Sequence, residues 1–312
     1  MAAILYIIIP CFNDGDVLPV TAPLLLGKLK QLITDGTVDV NSRLVFVDDG
    51  SLDDTWTVIR ELHDADSRCS GIRLTENTGE QNAILAGLNA AKDHCDCMIT
   101  IDSDLQDDID LIDLMVGQYA KGSEIVLGVR SSRRYDSCRE RFFSRSFYIC
   151  MRLFHTGLEN EHSNFRLMSS AAAEKLLKRA GDAFFLPAEV CNLGIGYQTA
   201  AYVRLPRSAG ASSYSFKKKL ILAMKAVVIH SKNLSGILLT VGITAGLAGG
   251  LLAAVWLACG RTMLLPLSLG AFAATVVCFT LRALRNQVIV RLNKRQKKIW
   301  NKIRKGEYAF RD

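Results

Sequence analysis

Nothing in this sequence marks out a disulfide or zinc framework. Nine cysteines are scattered through it, and the closest pair, Cys95 and Cys97, has no second Cys/His pair at ligand spacing. Both read as packing residues beside a strand. An odd count without a secretory signal argues for reduced thiols on the cytosolic side. A signal peptide is not expected, because the apolar run Ile4–Ile9 is short and no basic residue precedes it. The loop after that run, Pro10-Cys-Phe-Asn13, is not the G-x-G-x-x-G of a dinucleotide-binding sheet, which excludes a nucleotide-sugar reductase built that way.

What the chain does have is apolar length and basic charge. Its 312 residues are 49% hydrophobic with a formal charge of +7, and the mean hydropathy is +0.18. That length allows one large domain or two smaller ones, and the hydropathy asks for membrane segments. Leu234–Cys259 is an uncharged run long enough to span a bilayer, and Met263–Leu281 is a second. Lys217–Lys219, Lys225 and Lys232 precede the first run; Arg282, Arg285, Arg291 and the cluster Lys294–Lys305 follow the second; only Arg261 lies between. The positive-inside rule then places both termini and the N-terminal part in the cytoplasm of a multi-pass protein of the inner membrane. Two further segments suit the headgroup plane: a basic, aromatic-rich stretch at 139–156, and 214–231. For each, a surface helix with snorkelling cations is the alternative. The boundaries expected are therefore 1–232 for a cytosolic domain, 233–285 for two spans and 286–312 for a basic cytosolic tail. Anionic lipid is the simpler partner for that tail, and no nucleic acid is expected.

Within the first part, short apolar runs alternate with helical stretches. Leu5–Ile9, Arg43–Val47, Ile72–Leu74, Met98–Ile101 and Glu124–Gly128 read as strands, with helices at about 15–34, 53–64, 82–92 and 110–119. Alternation of this kind means βαβ units and a mostly parallel α/β sheet. The polar clusters Asn13-Asp14, Asp48-Asp49, Asn77–Gly79 and Asp102–Asp104 all fall at the carboxyl ends of these strands, where open α/β sheets bind ligands. Asp102 and Asp104 stand two apart in extended chain, so they point the same way, with Gln106 two further on. Such an oxygen set suits a hard divalent cation, Mg²⁺ or Mn²⁺. The alternative is a solvated acidic loop that caps the next helix.

The order of motifs resembles family 2 glycosyltransferases. Ile9-Pro-Cys-Phe-Asn-Asp14 is similar to their I-P-x-Y-N-E opening, Phe46-Val-Asp-Asp-Gly-Ser51 to V-D-D-G-S, and Asp102-Ser-Asp104 to the D-x-D metal motif. Asn77-Thr-Gly-Glu-Gln-Asn-Ala83 with Ala86-Gly87 resembles a segment of the polyprenyl-phosphate branch, which holds bactoprenol glucosyltransferases and dolichol-phosphate mannose synthases. Asn164-Phe-Arg-Leu-Met168, Arg204-Leu-Pro-Arg207 and Gly210–Tyr214 look like the same branch. The resemblance covers roughly residues 4–285 and implies a GT-A fold followed by two transmembrane helices.

It also implies a reaction: inverting transfer of a hexose, taken as glucose, from a UDP-sugar to a polyprenyl (undecaprenyl) phosphate, for modification of cell-envelope glycan. Pro10, Phe12 and Asp14 would contact the uridine, and Asp49 would accept from the uracil ring. Asp48, Gln81, Asp102 and Ser103 would complete the donor site, with Asp102, Asp104 and Gln106 holding Mg²⁺ or Mn²⁺. Arg130, Arg139, Arg141 and Arg207 are the candidates for the acceptor phosphate, since arginine forks match phosphate oxygens. Asp104, Arg130, Asn164 and Arg207 would carry the chemistry. Relatives often have Asp where this chain has Asn164; a phosphate monoester with a second pKa of about 6 is already an anion, so Asn164 reads as an orienting group and not a base. Ser213 and Pro187 stand where relatives often have Lys and Arg. A homo-oligomer is compatible with this reading. A non-catalytic membrane scaffold on the same fold is the competing reading; a processive polysaccharide synthase would want Q-x-x-R-W and more spans.

Overall fold

The computed structural model describes residues 2–132, 145–149, 151–152, 157–159, 161–182, 185–204, 225–231, 233–259, 264–304 and 308–311. Strands and helices alternate through the first half: β1 (Leu5–Cys11), α1 (Leu18–Thr34), β2 (Arg43–Asp48), α2 (Thr55–Ala65), β3 (Cys69–Leu74), α3 (Glu80–Ala91), β4 (Cys97–Thr100), α4 (Leu111–Ala120) and β5 (Ile125–Ser132). Then come β6 (His162–Ser169), α5 (Ser170–Leu177), α6 (Leu186–Cys191), β7 (Gln198–Val203), α7 (Leu234–Cys259), α8 (Leu264–Arg304) and β8 (Tyr308–Arg311).

Strand β1 shows why the sheet is covered on both sides. Leu5, Ile7 and Ile9 enter a core closed by Leu25 and Leu29 of α1 and Met115 of α4. Ile8 enters the opposite core with Ala83 and Ala86 of α3 and Leu176 of α5. A strand apolar on both faces needs helices above and below it. The order is β7-β5-β6-β4-β1-β2-β3-β8, with β3, β2, β1 and β4 mutually parallel. The expected mostly parallel α/β sheet is found; β6 runs antiparallel between β4 and β5, and β8 is antiparallel on β3. Antiparallel neighbours need no crossover helix, so the alternation of strand and helix carries no sign of them. The connections diverge on either side of β1, which opens a crevice at the carboxyl ends of β1 and β4.

Helix α3 lies very close to the sheet. A Cβ at Gly87 would stand 2.3 Å from Cγ2 of Ile8 and 3.0 Å from Cγ2 of Val47. Gly87→Ala is therefore expected to destabilise the domain by about 1–3 kcal/mol through overpacking. Thermal unfolding in detergent checks this; an unchanged midpoint would mean that α3 can move off the sheet at no cost.

Helices α7 and α8 are long and apolar enough to cross a membrane. They pack through small residues: a Cβ at Gly249 would be 3.2 Å from Cβ of Ala271, and one at Gly242 3.2 Å from the Phe279 ring. Leu247, Leu251 and Val276 face outward and are exposed. The sequence reading ends the second span at Leu281 and places a separate tail after residue 285. Instead α8 runs unbroken to Arg304, because neither Gly nor Pro occurs between Arg282 and Arg304. Its far end docks on the α/β domain. Trp300 and Ile303 are buried in the α3-side core, Gln296 donates to Asn82 Oδ1 at 2.7 Å, and Lys302 pairs with Glu76 at 2.7 Å.

Of the two segments read as interfacial, most of 139–156 and of 214–231 lies outside the described residues. Residues 145–149 and 151–152 are helical, with Arg145 and Arg152 exposed. On the other side of that helix, Met151 is buried beside Phe185 and Ala226, and Phe147 packs against the same group.

Candidate active site

The four polar clusters do meet on one rim, and they are laced together by hydrogen bonds. After β1, Asn13 takes a left-handed conformation (φ 54°). This lets its backbone N–H donate to Ser51 Oγ at 2.9 Å while its Oδ1 accepts from Leu52 N at 2.9 Å. Asp14 Oδ2 accepts from Phe12 N at 3.0 Å and from Ser103 Oγ at 2.8 Å. That last bond joins the β1 loop to the Asp102–Asp104 turn. Burial raises the Asp14 pKa, and the bonds from Ser103 and Phe12 work against the shift. Pro10 is buried at the end of β1, and the Phe12 ring is half-buried on the rim.

The Asp48-Asp49-Gly50-Ser51 turn does mostly internal work. Asp48 has no exposed surface; Oδ1 accepts from Ser51 N at 2.8 Å, and Arg73 Nε stands 3.2 Å from Oδ2. It shapes the floor of the rim and does not itself reach solvent. Asp49 is 2% exposed and clamps the next loop, accepting from Thr78 N and Gly79 N at 2.8 Å and from Thr78 Oγ1 at 2.9 Å. Burial raises its pKa against those three donors. Gln81, at the start of α3, accepts from Leu186 N at 3.2 Å and so ties α3 to α6.

Asp102 and Asp104 follow β4, and the chain between Asp104 and Gln106 turns through Leu105 at φ 44°. Positive φ is rare for a bulky residue and marks a strained, specifically held turn. Asp104 Oδ1 accepts from Gln106 N at 3.2 Å. Burial pushes Asp102 well above the ordinary carboxylate range, Glu80, Asp107 and Asp104 add to this, and Arg130 opposes them. Carboxylates crowded in this way gain from a bound cation. The donor set therefore fits Mg²⁺ or Mn²⁺ as hard oxygens supplied from one turn. Among the described residues no group of three or more His, Cys, Asp or Glu side chains is arranged to hold a metal unaided. Gln106, expected as a third ligand, has its Oε1 engaged by Arg204. With two carboxylates from the turn, a bound cation would leave its other ligand positions to substrate phosphates and water.

Beside this turn lies a second network that sequence reasoning largely missed. Arg130 Nε donates to Tyr202 Oη at 3.2 Å, and its Nη2 lies 3.7 Å from Asp107. Burial opposes the charge on Arg130, but Tyr202, Asp107 and Asp102 outweigh it and raise the pKa. Tyr202 also donates to Asp107. Asn164 on β6 donates to Glu80 and stands 3.5 Å from Asp102 Oδ1, while its Oδ1 accepts from Arg166 Nη2 at 3.1 Å. Arg166 is fully buried, which pulls its pKa down to about 10 and leaves it charged at neutral pH. Glu80 sits inside one of the family-like motifs and Asp107 inside the acidic run, yet nothing local distinguishes either from its neighbours. Tyr202 carries no local signal, being one aromatic on an edge strand. Arg139, Arg141, Arg207 and Ser213 lie outside the described residues; Pro187 opens α6 in its first turn, where a missing N–H costs nothing.

Comparison with known proteins identifies the family. Residues 6–177 match the family described as Glycosyl transferase family 2. Over 228 residues the chain is 37% identical to the uncharacterized glycosyltransferase YkoT of Bacillus subtilis (strain 168), covering 73% of this chain and 68% of the relative. Over 226 residues it is 29% identical to the bactoprenol glucosyl transferase of Shigella phage SfV, covering 72% and 71%. Among solved structures it is similar to the mannosyltransferase PcManGT of Pyrobaculum calidifontis, solved with GDP-Man and Mn²⁺, at 17% identity and TM-score 0.46 over 98% of this chain and 86% of that one. With the family profile matching more than half of the chain, and its motifs meeting on one rim, this protein belongs to glycosyl transferase family 2 and is a glycosyltransferase.

Proposed function

We propose that this glycosyltransferase is anchored in the cytoplasmic membrane by α7 and α8 and moves a hexose, with glucose the first candidate, from a UDP-sugar to undecaprenyl phosphate with inversion. The observation that carries the reading is the coexistence of two parts in one chain. A carboxylate turn stands at the crevice between β1 and β4, and the same chain carries two apolar helices, one of which docks on α3. A soluble acceptor would need no such anchor; a lipid acceptor keeps its tail in the bilayer. The bactoprenol glucosyl transferases among the relatives support the same acceptor class.

In this reading the uridine lies against Pro10, Phe12 and Asp14, with Asp49 holding the Thr78-Gly79 loop and Gln81 tying α3 to α6. A cation held by Asp102 and Asp104 would neutralise charge on the departing diphosphate. Arg130, paired with Asp107 and Tyr202, would draw in an anionic acceptor. Arg139, Arg141 and Arg207 are proposed to share that task. Asn164 orients and takes no proton, since an amide is not a base at neutral pH and the phosphate is already a nucleophile. The cytoplasmic placement of the domain and both termini follows from the Lys and Arg flanks of the two helices.

The test uses purified protein in detergent with undecaprenyl phosphate, Mg²⁺ and a panel of radiolabelled nucleotide sugars, with label followed into the organic phase. Transfer from one UDP-hexose is expected. Absence of transfer from every donor, with UDP still bound, would turn the reading toward another acceptor or a scaffold.

A further inference from the structure

The side chain of Asn164 is enclosed on three sides. Its amide nitrogen carries two protons; one goes to Glu80, and the other faces Asp102 Oδ1 at 3.5 Å. Its oxygen accepts from Arg166 Nη2 at 3.1 Å. Two carboxylates at one end and a guanidinium at the other leave a single sensible orientation of the amide. Arg166 in turn is fully buried and held by the carbonyls of Ser163 at 3.1 Å and Asn164 at 3.2 Å. It cannot turn to serve a different partner.

Glu80 is thus linked, through one amide, to a carboxylate of the cation-binding turn. We propose that Glu80 is a positioning residue of this active site, holding Asn164 against Asp102, and that the amide at 164 is required by the carboxylate at 80. The inference rests on the glycosyl-transfer reading above. Asn164→Asp would bring three carboxylates together and remove the amide N–H groups that now stand between them, and like charges at hydrogen-bond range repel. Adding Glu80→Gln would remove the conflict between positions 80 and 164, leaving only the longer 3.5 Å approach to Asp102 Oδ1. The glutamine amide at 80 would donate to the new carboxylate at 164, restoring the link with its polarity reversed and one negative charge shared by the pair as before. One carboxylate and one amide can be placed either way round across positions 80 and 164 and keep both the hydrogen bond and the charge of the pair.

The experiment is a double-mutant cycle on the full-length protein in detergent micelles. Transfer is measured at saturating acceptor for wild type, E80Q, N164D and E80Q/N164D, with kcat and the donor KM separated. N164D is expected to lose at least about 30-fold, mainly in kcat, and E80Q about 3- to 10-fold; the double variant is expected within about 5-fold of wild type. A double variant as impaired as the product of the two single losses would overturn the proposal, as would an N164D variant of wild-type activity. A merely structural contact would show its recovery in the unfolding midpoint and leave kcat of the folded variants unchanged. Thermal unfolding of the four proteins forms the same cycle without any substrate. If wild type transfers nothing, the functional reading fails, while a midpoint lowered in N164D and recovered in E80Q/N164D still supports the pairing. Additive midpoints overturn it. Should N164D not accumulate as folded protein, recovery of folded E80Q/N164D decides the matter by the same measure.

Discussion

Asp104→Ala is expected to abolish cation-dependent transfer, lowering kcat by on the order of 10²–10³, the usual cost of removing one group that stabilises charge developing in the transition state. The magnitude follows from how little else is available. Among the described residues no third acidic or histidine ligand completes the set, and the Gln106 oxygen is engaged by Arg204. Losing one of two protein carboxylates therefore removes half of the protein's share of the coordination. The fold should survive, because Asp104 is half-exposed and its bond to the Gln106 N–H lies within the turn itself. Relief of repulsion on Asp102 works in the same direction, so the unfolding midpoint should hold or rise slightly. Mn²⁺ binding followed by electron paramagnetic resonance, beside the transfer assay, checks both halves. Activity in the variant close to that of wild type would mean that the turn is not where the cation acts.

Gly50→Ala should also impair the enzyme, by a route that starts in the backbone. Gly50 has φ +67°, and a Cβ there would lie 2.7 Å from the carbonyl carbon of Glu76 and 2.8 Å from the nitrogen of Asn77. Neither atom belongs to a flexible side chain, so the loop itself must move. That loop is held by three hydrogen bonds to Asp49, and it leads directly into Glu80. Left-handed strain plus the clash should cost about 2–4 kcal/mol of stability. The displaced loop should also weaken UDP binding by roughly tenfold or more, the effect of a loss of about 1.4 kcal/mol. Calorimetric titration with UDP and a thermal melt read the two separately. Normal UDP affinity in a destabilised protein would detach the 76–79 loop from the donor site.

The parts of this fold that could be read in the sequence share one property: their signal is local. β1, β2 and β4 are short apolar runs that lead into Asp or Asn, and α7 is a long uncharged run, so pattern alone marks them. Pairing of β6 between β4 and β5 depends on contacts far apart in sequence, such as Ile99 with Leu167, and leaves no periodic trace. The same holds at the site. Asp102 and Asp104 stand together in the chain and were legible. Glu80, Tyr202 and Arg166 become neighbours of that turn only through the sheet, and their types alone are those of any surface glutamate, core tyrosine or strand arginine. At Asp48 and Asp49 the strand-end position was legible, while their hydrogen bonds to the protein's own backbone became visible only in the fold.

Helix α8 has a consequence for where catalysis takes place. Its 41 residues measure about 61 Å, of which about 30 Å suffices for the hydrocarbon layer. The rest is a stiff post whose head is seated on α3 by Trp300 and Gln296. In the proposed membrane setting such a post leaves the catalytic domain no slack with which to bob toward the lipid. The height of the rim above the bilayer becomes a built-in dimension of the enzyme. It is then the small partner, a phosphate on a pliant isoprenoid stem, that has to travel the vertical distance.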